Sequence, residues 1–539
     1  MQTVSGNIVD VIAKTIRKGT IHFDTAIRRI EYGDTASEQF IIPGFVDAHV
    51  HVESSMLIPS EFARLAVLHG TVATISDPHE IGNVLGKQGV RFMIDNGKQT
   101  PFKFYFGAPS CVPATNFETA GATISPKDIE EILSWPEVNY LAEMMNYPGV
   151  VYGDSDVMEK IAIAHRMGKV IDGHLPGIRG EMMQKYVAAG ISTDHECFTL
   201  EEALEKIAEG MKIIIREGSA AKNFEALWTL IDQHPEMVMF CSDDKHPNDL
   251  VVSHINELAK RAVAKGCDLF KVLRAASKNV IEHYSMEVGL LQNGDPADFC
   301  IVNDLTDFKV KATVINGEYV AENGKSHIQP VSVEPLNNFS CDRIAADELK
   351  IAAESEQIKV IVVEDGQLIT KQQKASLIAQ NGYLEADIEQ DILKLVVVNR
   401  YTTEKPAIAF IKNFGLKSGA IASCVAHDSH NIIAVGTNDE SLTEAINLII
   451  EHKGGVSLAS EEHSSIVALP VAGIMSHLDA YEIAAAYDKI DKEAKALGST
   501  LKAPFMTLSF CALLVIPELK LSDKGLFDGK EFKFVPLFN

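Results

Sequence analysis

From residue 44 to residue 290 the chain alternates short apolar runs with helix-length amphipathic stretches, eight of each. The strand candidates are Phe45 to Ala48, Val72 to Ser76, Phe102 to Gly107, Tyr140 to Glu143, Lys169 to Asp172, Gly190 to Thr193, Met211 to Arg216 and Val238 to Ser242. Helical periodicity follows them, for instance over Pro59 to His69, Asp156 to Met167, Leu200 to Glu209 and Ile255 to Lys265. Strand and helix alternating in this way over ~250 residues predict an α/β fold, a (β/α)8 TIM-like barrel. A doubly wound open sheet has a similar rhythm. The two differ in where polar residues collect, since a barrel gathers its chemistry at the carboxyl ends of several strands.

The flanks read differently. Residues 6 to 42 hold short alternating runs such as Ile8-Val9-Asp10-Val11-Ile12, and residues 294 to 327 hold Phe308 to Val314 followed by the turn signals Asn316-Gly317 and Asn323-Gly324. The expectation is one small β-domain, built from residues 1–43 and 291–334 and interrupted by the barrel at 44–290. A third, C-terminal α/β domain is expected over 335–539, with apolar runs at Val360 to Val363, Leu395 to Val398, Ala407 to Ile411 and Ile432 to Val435 and helices near Ser441 to His452 and Asp479 to Leu497.

Composition narrows the partners. A formal charge of -25 over 539 residues disfavours nucleic acid or an anionic membrane, both of which would be repelled, and leaves a small neutral or cationic substrate. The first twenty residues carry Asp10 and scattered Lys and Arg with no uninterrupted apolar stretch, so a soluble cytoplasmic protein is expected. The eight Cys lie far apart without a Cys-x-x-Cys pair, which suggests neither a disulfide framework nor a thiolate zinc site.

The chemistry begins at Asp47-Ala48-His49-Val50-His51. Imidazoles two residues apart on a strand point to the same side and suit a shared metal ion. With 18 His among 539 residues, a His-x-His pair arises by chance about 0.6 times, so its meaning depends on the residues that end the later strands. Strand two ends in Asp77, strand four in Glu143, strand five in His174, strand six in His195 and strand eight in Asp243. Each has a bland reading: a packed imidazole, a buried partner for an Arg at Glu143, a helix cap at Asp243-Asp244. Six placements at the correct strand ends favour one cavity of imidazole and carboxylate ligands for divalent transition metals. His49 and His51 with Asp243 would hold one ion, His174 with His195 a second, and Glu143 would bridge them. Two such ions activate water for hydrolysis. No Gly-x-Gly-x-x-Gly after a strand and no Walker motif points to a nucleotide cofactor.

Asp243 has a second expected task, to accept a proton from the attacking water and pass it to a leaving group. Asp77-Pro78-His79-Glu80 adds two acids and an imidazole beside the mouth, or else is a turn and helix cap. Asp77 and Glu80 are candidate catalytic groups and His79 a candidate substrate contact. Arg216-Glu217-Gly218-Ser219 offers donors and acceptors to a polar heterocycle through Arg216, Glu217 and Ser219, or is only a strand end and a Ser cap.

At this point the strings resemble a known family. Pro43 to Met56 looks like the opening of a barrel in the amidohydrolase superfamily, and Glu53-Ser54-Ser55-Met56 narrows the resemblance to adenine deaminases of the bacterial type. Ser76 to Ile81, Ile215 to Ala221, Ser242 to Pro247, Val425 to Asn431 and Ile516 to Lys520 extend it over almost the whole chain. The resemblance implies adenine and water giving hypoxanthine and ammonia, and a dinuclear Mn2+ or Fe2+ centre, with Zn2+ a further candidate. By motif matching its ligands would be His49, His51, Glu143, His174, His195 and Asp243. The ring-protonating donor stays open among Asp77, His79, Glu80 and Glu217. One rival is a dihydroorotase- or hydantoinase-like hydrolase of cyclic amides, since the same metal site serves both. Another is an inactive barrel used as an assembly module, which would have lost ligands that this chain keeps. His427-Asp428-Ser429-His430-Asn431 reads as a polar turn more readily than as a second metal site, and the C-terminal region is expected to have a packing or active-site-covering role across a dimer interface, in a homodimer or higher homo-oligomer.

Overall fold

The computed structural model describes residues 1–538. Eight parallel strands form its centre: Phe45–Val50, Thr71–Ser76, Lys103–Ala108, Val138–Met144, Val170–Gly173, Thr193–Asp194, Lys212–Arg216 and Val238–Cys241. All eight apolar runs therefore become strands, the sixth displaced a few residues toward its polar end. Several, such as Thr71–Ser76, are buried at every position, because strands covered by helices on one side and packed side chains on the other have no solvent face. The first five form one sheet and the last three another. Backbone bonds join them into a barrel: Ser192 N donates to Ile171 O (3.0 Å) at one seam, and Asp243 N donates to His49 O (3.0 Å) at the other. The second seam sets the first and last strands side by side at their carboxyl ends. Asp47 reinforces it, accepting from Ser242 N (3.0 Å) and Ser242 Oγ (2.5 Å), with His254 Nε2 at 2.9 Å.

Helices return between the strands where the periodicity places them, at Pro59–Ala66, Ser155–Arg166, Leu200–Ala208 and Ile255–Ala264. Local chemistry fixes their starts. Asp154 accepts from the amides of Asp156 and Val157, and Thr199 from that of Glu202, each satisfying donors that the first helical turn leaves free.

The flanking segments meet in a second sheet. Gln2–Asp10 pairs antiparallel with Thr15–Phe23 along its whole length and parallel with Phe40–Pro43, which pairs antiparallel with Phe299–Val302 through Ile41 and Ile301. Val310–Ile315 and Glu318–Glu322 continue it across Asn316-Gly317, both at positive φ (47° and 77°), the conformation a two-residue hairpin turn demands.

A third sheet, of eight strands, runs in the order Lys371–Ser376, Gln357–Val362, Ala407–Lys412, Ile392–Val398, Ile432–Gly436, Ala420–Ser423, Gly455–Ala459 and Ser464–Ala468, with helices Asp439–His452 and Ala480–Ala496. It is strapped to the barrel: Ser476 N donates to Met56 O (2.8 Å), Ile58 N to Ser476 O (3.2 Å) and Thr119 N to Asp523 Oδ1 (2.9 Å). These ties hold the C-terminal region over the ends of barrel strands one and three. Among the described residues no helix is long and apolar enough to cross a membrane.

Candidate metal centre and active site

The polar groups at the strand ends converge, buried, at one mouth. His49 and His51 turn their Nε2 atoms to 3.1 Å from each other, a consequence of the two-residue repeat of a strand. Both face Asp243 Oδ1, at 3.7 and 3.4 Å. On the far side, His174 Nδ1 lies 2.8 Å and His195 Nε2 3.4 Å from Glu143 Oε2, while Glu143 Oε1 lies 3.1 Å from His51 Nε2. Glu143 thus gives one oxygen to each imidazole pair. Burial opposes its charge, but the surrounding imidazoles outweigh burial and hold its carboxyl well below the usual range.

Each of these side chains is fixed from behind. Asp243 follows strand eight at φ 52°, a left-handed conformation that aims its carboxylate inward. Glu143 is pinned through its backbone, its carbonyl accepting from Ser110 Oγ (2.5 Å) and its amide donating to Asp77 Oδ2 (3.3 Å). Gly173 precedes His174, and a Cβ there would lie 2.3 Å from Thr193 O, so strands five and six approach this closely only with glycine. Behind His174 and His195, buried Lys206 donates to Leu175 O (2.6 Å), Asp194 Oδ2 (2.8 Å) and Glu202 Oε1 (2.7 Å). Lys206→Met should cost about 3–5 kcal/mol of stability, because it leaves two buried carboxylates without their cation. Urea denaturation of the two proteins checks this; a loss under about 1 kcal/mol would show that the network carries little.

The structure separates the remaining sequence expectations. His79 and Glu80 line the cavity. Asp77 does not: it accepts from the amides of His79 (3.0 Å) and Glu143 and faces His79 Nδ1 at 3.2 Å, which makes it an organiser of its neighbours. Glu217 and Ser219 point elsewhere. Glu217 pairs with Arg261 (2.6 Å), and Ser219 Oγ donates to Asp249 Oδ2 (2.5 Å) while accepting from His246 N (2.9 Å). Arg216 is buried with both terminal nitrogens engaged, Nη1 and Nη2 on Glu196 and Nη1 also on Asp243 Oδ2 (2.6 Å), so these nitrogens hold site carboxylates. In each case a stronger protein partner takes the group that the sequence offers to a heterocycle.

Several lining groups carry no local signal. Glu196 follows His195 directly, and its carboxylate reaches within 3.4 Å of His195 Nε2 and 3.6 Å of His174 Nδ1. Asp244 accepts from Ser54 Oγ at 2.5 Å. From the C-terminal region of the same chain come Leu368, His427, Asp428, Phe510, Leu513 and Ile516, which line the cavity over the imidazoles. Lys520 fixes part of that apolar wall, donating to the carbonyls of Leu368 and Phe510 at 2.8 Å each. These lining residues belong to the same chain as the barrel.

Comparisons with known proteins agree with this arrangement. Residues 40–320 match the amidohydrolase family, and residues 367–533 match the adenine deaminase C-terminal domain. An adenine deaminase of Sulfurovum sp. (strain NBC37-1) is 55% identical over 534 residues, covering 99% of each chain. Adenine deaminases of Methanosarcina acetivorans and Salinibacter ruber are each 51% identical, covering 100% and 99% of both chains respectively. With a barrel that matches one family, a covering domain that matches the other, and relatives alike from end to end, the chain belongs to the adenine deaminase family of the amidohydrolases.

Proposed function

We propose that the protein hydrolyses adenine to hypoxanthine and ammonia at a site that holds two divalent metal ions. Membership in the amidohydrolase family implies a divalent metal site. The residues present fit one: among the described residues His174 Nε2 and His49 Nδ1 are buried without a hydrogen-bond partner, and four imidazoles and two carboxylates, a donor set that suits a divalent transition metal, crowd together in groups with the spacing of metal ligands. The observation that carries two ions instead of one is the division of Glu143, whose Oε1 faces His51 and whose Oε2 faces His174 and His195. His49, His51 and Asp243 would hold one ion, His174 and His195 the other, with Glu143 between; Mn2+ or Fe2+ suits this donor set. Such ions supply acidification of water, enough to make it a nucleophile at neutral pH, and polarise the electrophile.

The chain's own residues handle the protons. Asp243 keeps Oδ2 on Arg216 and turns Oδ1 to the cavity, where it takes the proton of the attacking water and delivers it to the amine leaving C6. Ring nitrogen N1 needs a proton as C6 is attacked, and with Asp77 and Glu217 engaged elsewhere that proton comes from the His79-Glu80 side. The wall of Leu368, Phe510, Leu513 and Ile516 suits the apolar faces of a purine base.

A spectrophotometric panel tests the substrate. Adenine should be converted with stoichiometric ammonia, and adenosine, hydantoin and dihydroorotate far more slowly. Cleavage of a cyclic ureide with no turnover of adenine would refute the assignment.

A further inference from the structure

The C-terminal segment does more than cover the mouth. His427 and His430 descend from it onto Glu80, one imidazole on each carboxylate oxygen: His427 Nδ1 on Oε1 and His430 Nε2 on Oε2. The protons can be placed. His430 Nδ1 accepts from Ala426 N at 3.2 Å, so the proton of the neutral ring sits on Nε2, the nitrogen that faces Glu80 Oε2. The carboxylate is left with Oε1 for the Nδ1–H of His427. His427 Nε2 then points away from Glu80, toward Asp244 Oδ1 at 4.0 Å. Phe510 stacks on the same imidazole, ring centroids 4.5 Å apart at 21°, and fixes its plane. A carboxylate, a tautomer-setting neighbour and an imidazole with one nitrogen directed into a buried cavity form an acid–base unit in which the imidazole faces substrate.

Resting on the reading that adenine is the substrate, we propose that His427 is the catalytic acid that protonates N1, with Glu80 and His430 as its positioning residues. The exchange balances. As the water oxygen bonds to C6, one water proton passes to Asp243 and the Nε2 proton of His427 passes to N1. The C6–N6 bond then breaks, the departing nitrogen takes the proton held by Asp243 and leaves as ammonia, and the proton on the new C6 oxygen returns to His427. Burial disfavours a charged imidazole, but Glu80, Asp244 and Asp428 together outweigh it and raise His427 to about 9, so the donor is protonated at neutral pH. His79 lies near Glu80 (3.5 Å), Asp428 (3.7 Å) and Asp77 (3.2 Å), whereas His427 is hydrogen-bonded to Glu80 through Nδ1, so His427 is the imidazole whose tautomer and plane the carboxylate fixes.

The test uses the full-length, metal-loaded enzyme, with wild-type adenine turnover measured first; its absence would refute the substrate reading and not this one. Given that activity, His427→Gln should lower kcat by about 100- to 10,000-fold at unchanged metal content and lose the basic limb of the pH profile. Glu80→Gln should retain a basic limb but move it to lower pH, since the imidazolium loses its carboxylate; a purely structural role would leave its position unchanged. Addition of imidazole should partly restore His427→Ala. An unaltered kcat and basic limb in His427→Gln would overturn the assignment. So would a lost metal equivalent, which would make the Glu80 cluster a cation site. If the His427 variants do not fold, the Glu80→Gln profile alone decides, and an unmoved limb overturns the proposal.

Discussion

Asp243→Asn is expected to lower kcat for adenine by about 100- to 10,000-fold with little change in folding. Asparagine adopts the left-handed backbone at this position more readily than most residues, so the substitution tests the carboxylate and not the turn. Its orientation is dictated by Arg216. A guanidinium 2.6 Å from Oδ2 accepts only an oxygen there, so the amide NH2 must face His49 and His51, where it can neither bind a cation nor take up a proton. Steady-state kinetics with metal analysis separates the two losses. Wild-type turnover at full metal content would remove Asp243 from both roles.

Glu143→Gln should have a comparable effect by another route. The native carboxylate serves both imidazole pairs, and an amide has only one oxygen to share between them. Its backbone anchors to Ser110 and Asp77 do not involve the side chain, so the barrel should be unaffected. Losing even an outer partner of a ligand weakens metal binding by about 10- to 100-fold, and loss of a carboxylate that would lie between two ions should exceed that. The variant is expected to bind less than the wild-type metal complement and to lose nearly all adenine turnover. Elemental analysis after gel filtration checks the first, and saturating Mn2+ in the assay the second.

The barrel was legible because each strand is a local event. A buried parallel strand is an apolar run, and the residue that ends it must lie at the mouth once the fold closes. His49, His51, Glu143, His174, His195 and Asp243 meet for that reason alone. The edge strand Lys371–Ser376 was not legible: Lys-Gln-Gln-Lys-Ala-Ser is mostly polar and exposed, and it is a strand only because Gln357–Val362 offers it a free edge. The protein partners of Arg216, Glu217 and Ser219 are hidden from the sequence for a related reason. Their true partners, Glu196 with Asp243, Arg261 and Asp249, lie 20 to 44 positions away. A sequence shows the polar group but not which partner reaches it first. The meeting of His427 with Glu80 spans 347 positions and two sheets, beyond any local pattern.

Reconstitution tests the central claim most directly. Metal-free protein is titrated with Mn2+ and adenine turnover is followed against equivalents bound. The expected result is activity that reaches its plateau at two ions per chain, with one hypoxanthine and one ammonia formed per adenine. A plateau at one ion, or full turnover by the metal-free chain, would contradict a dinuclear centre divided across Glu143.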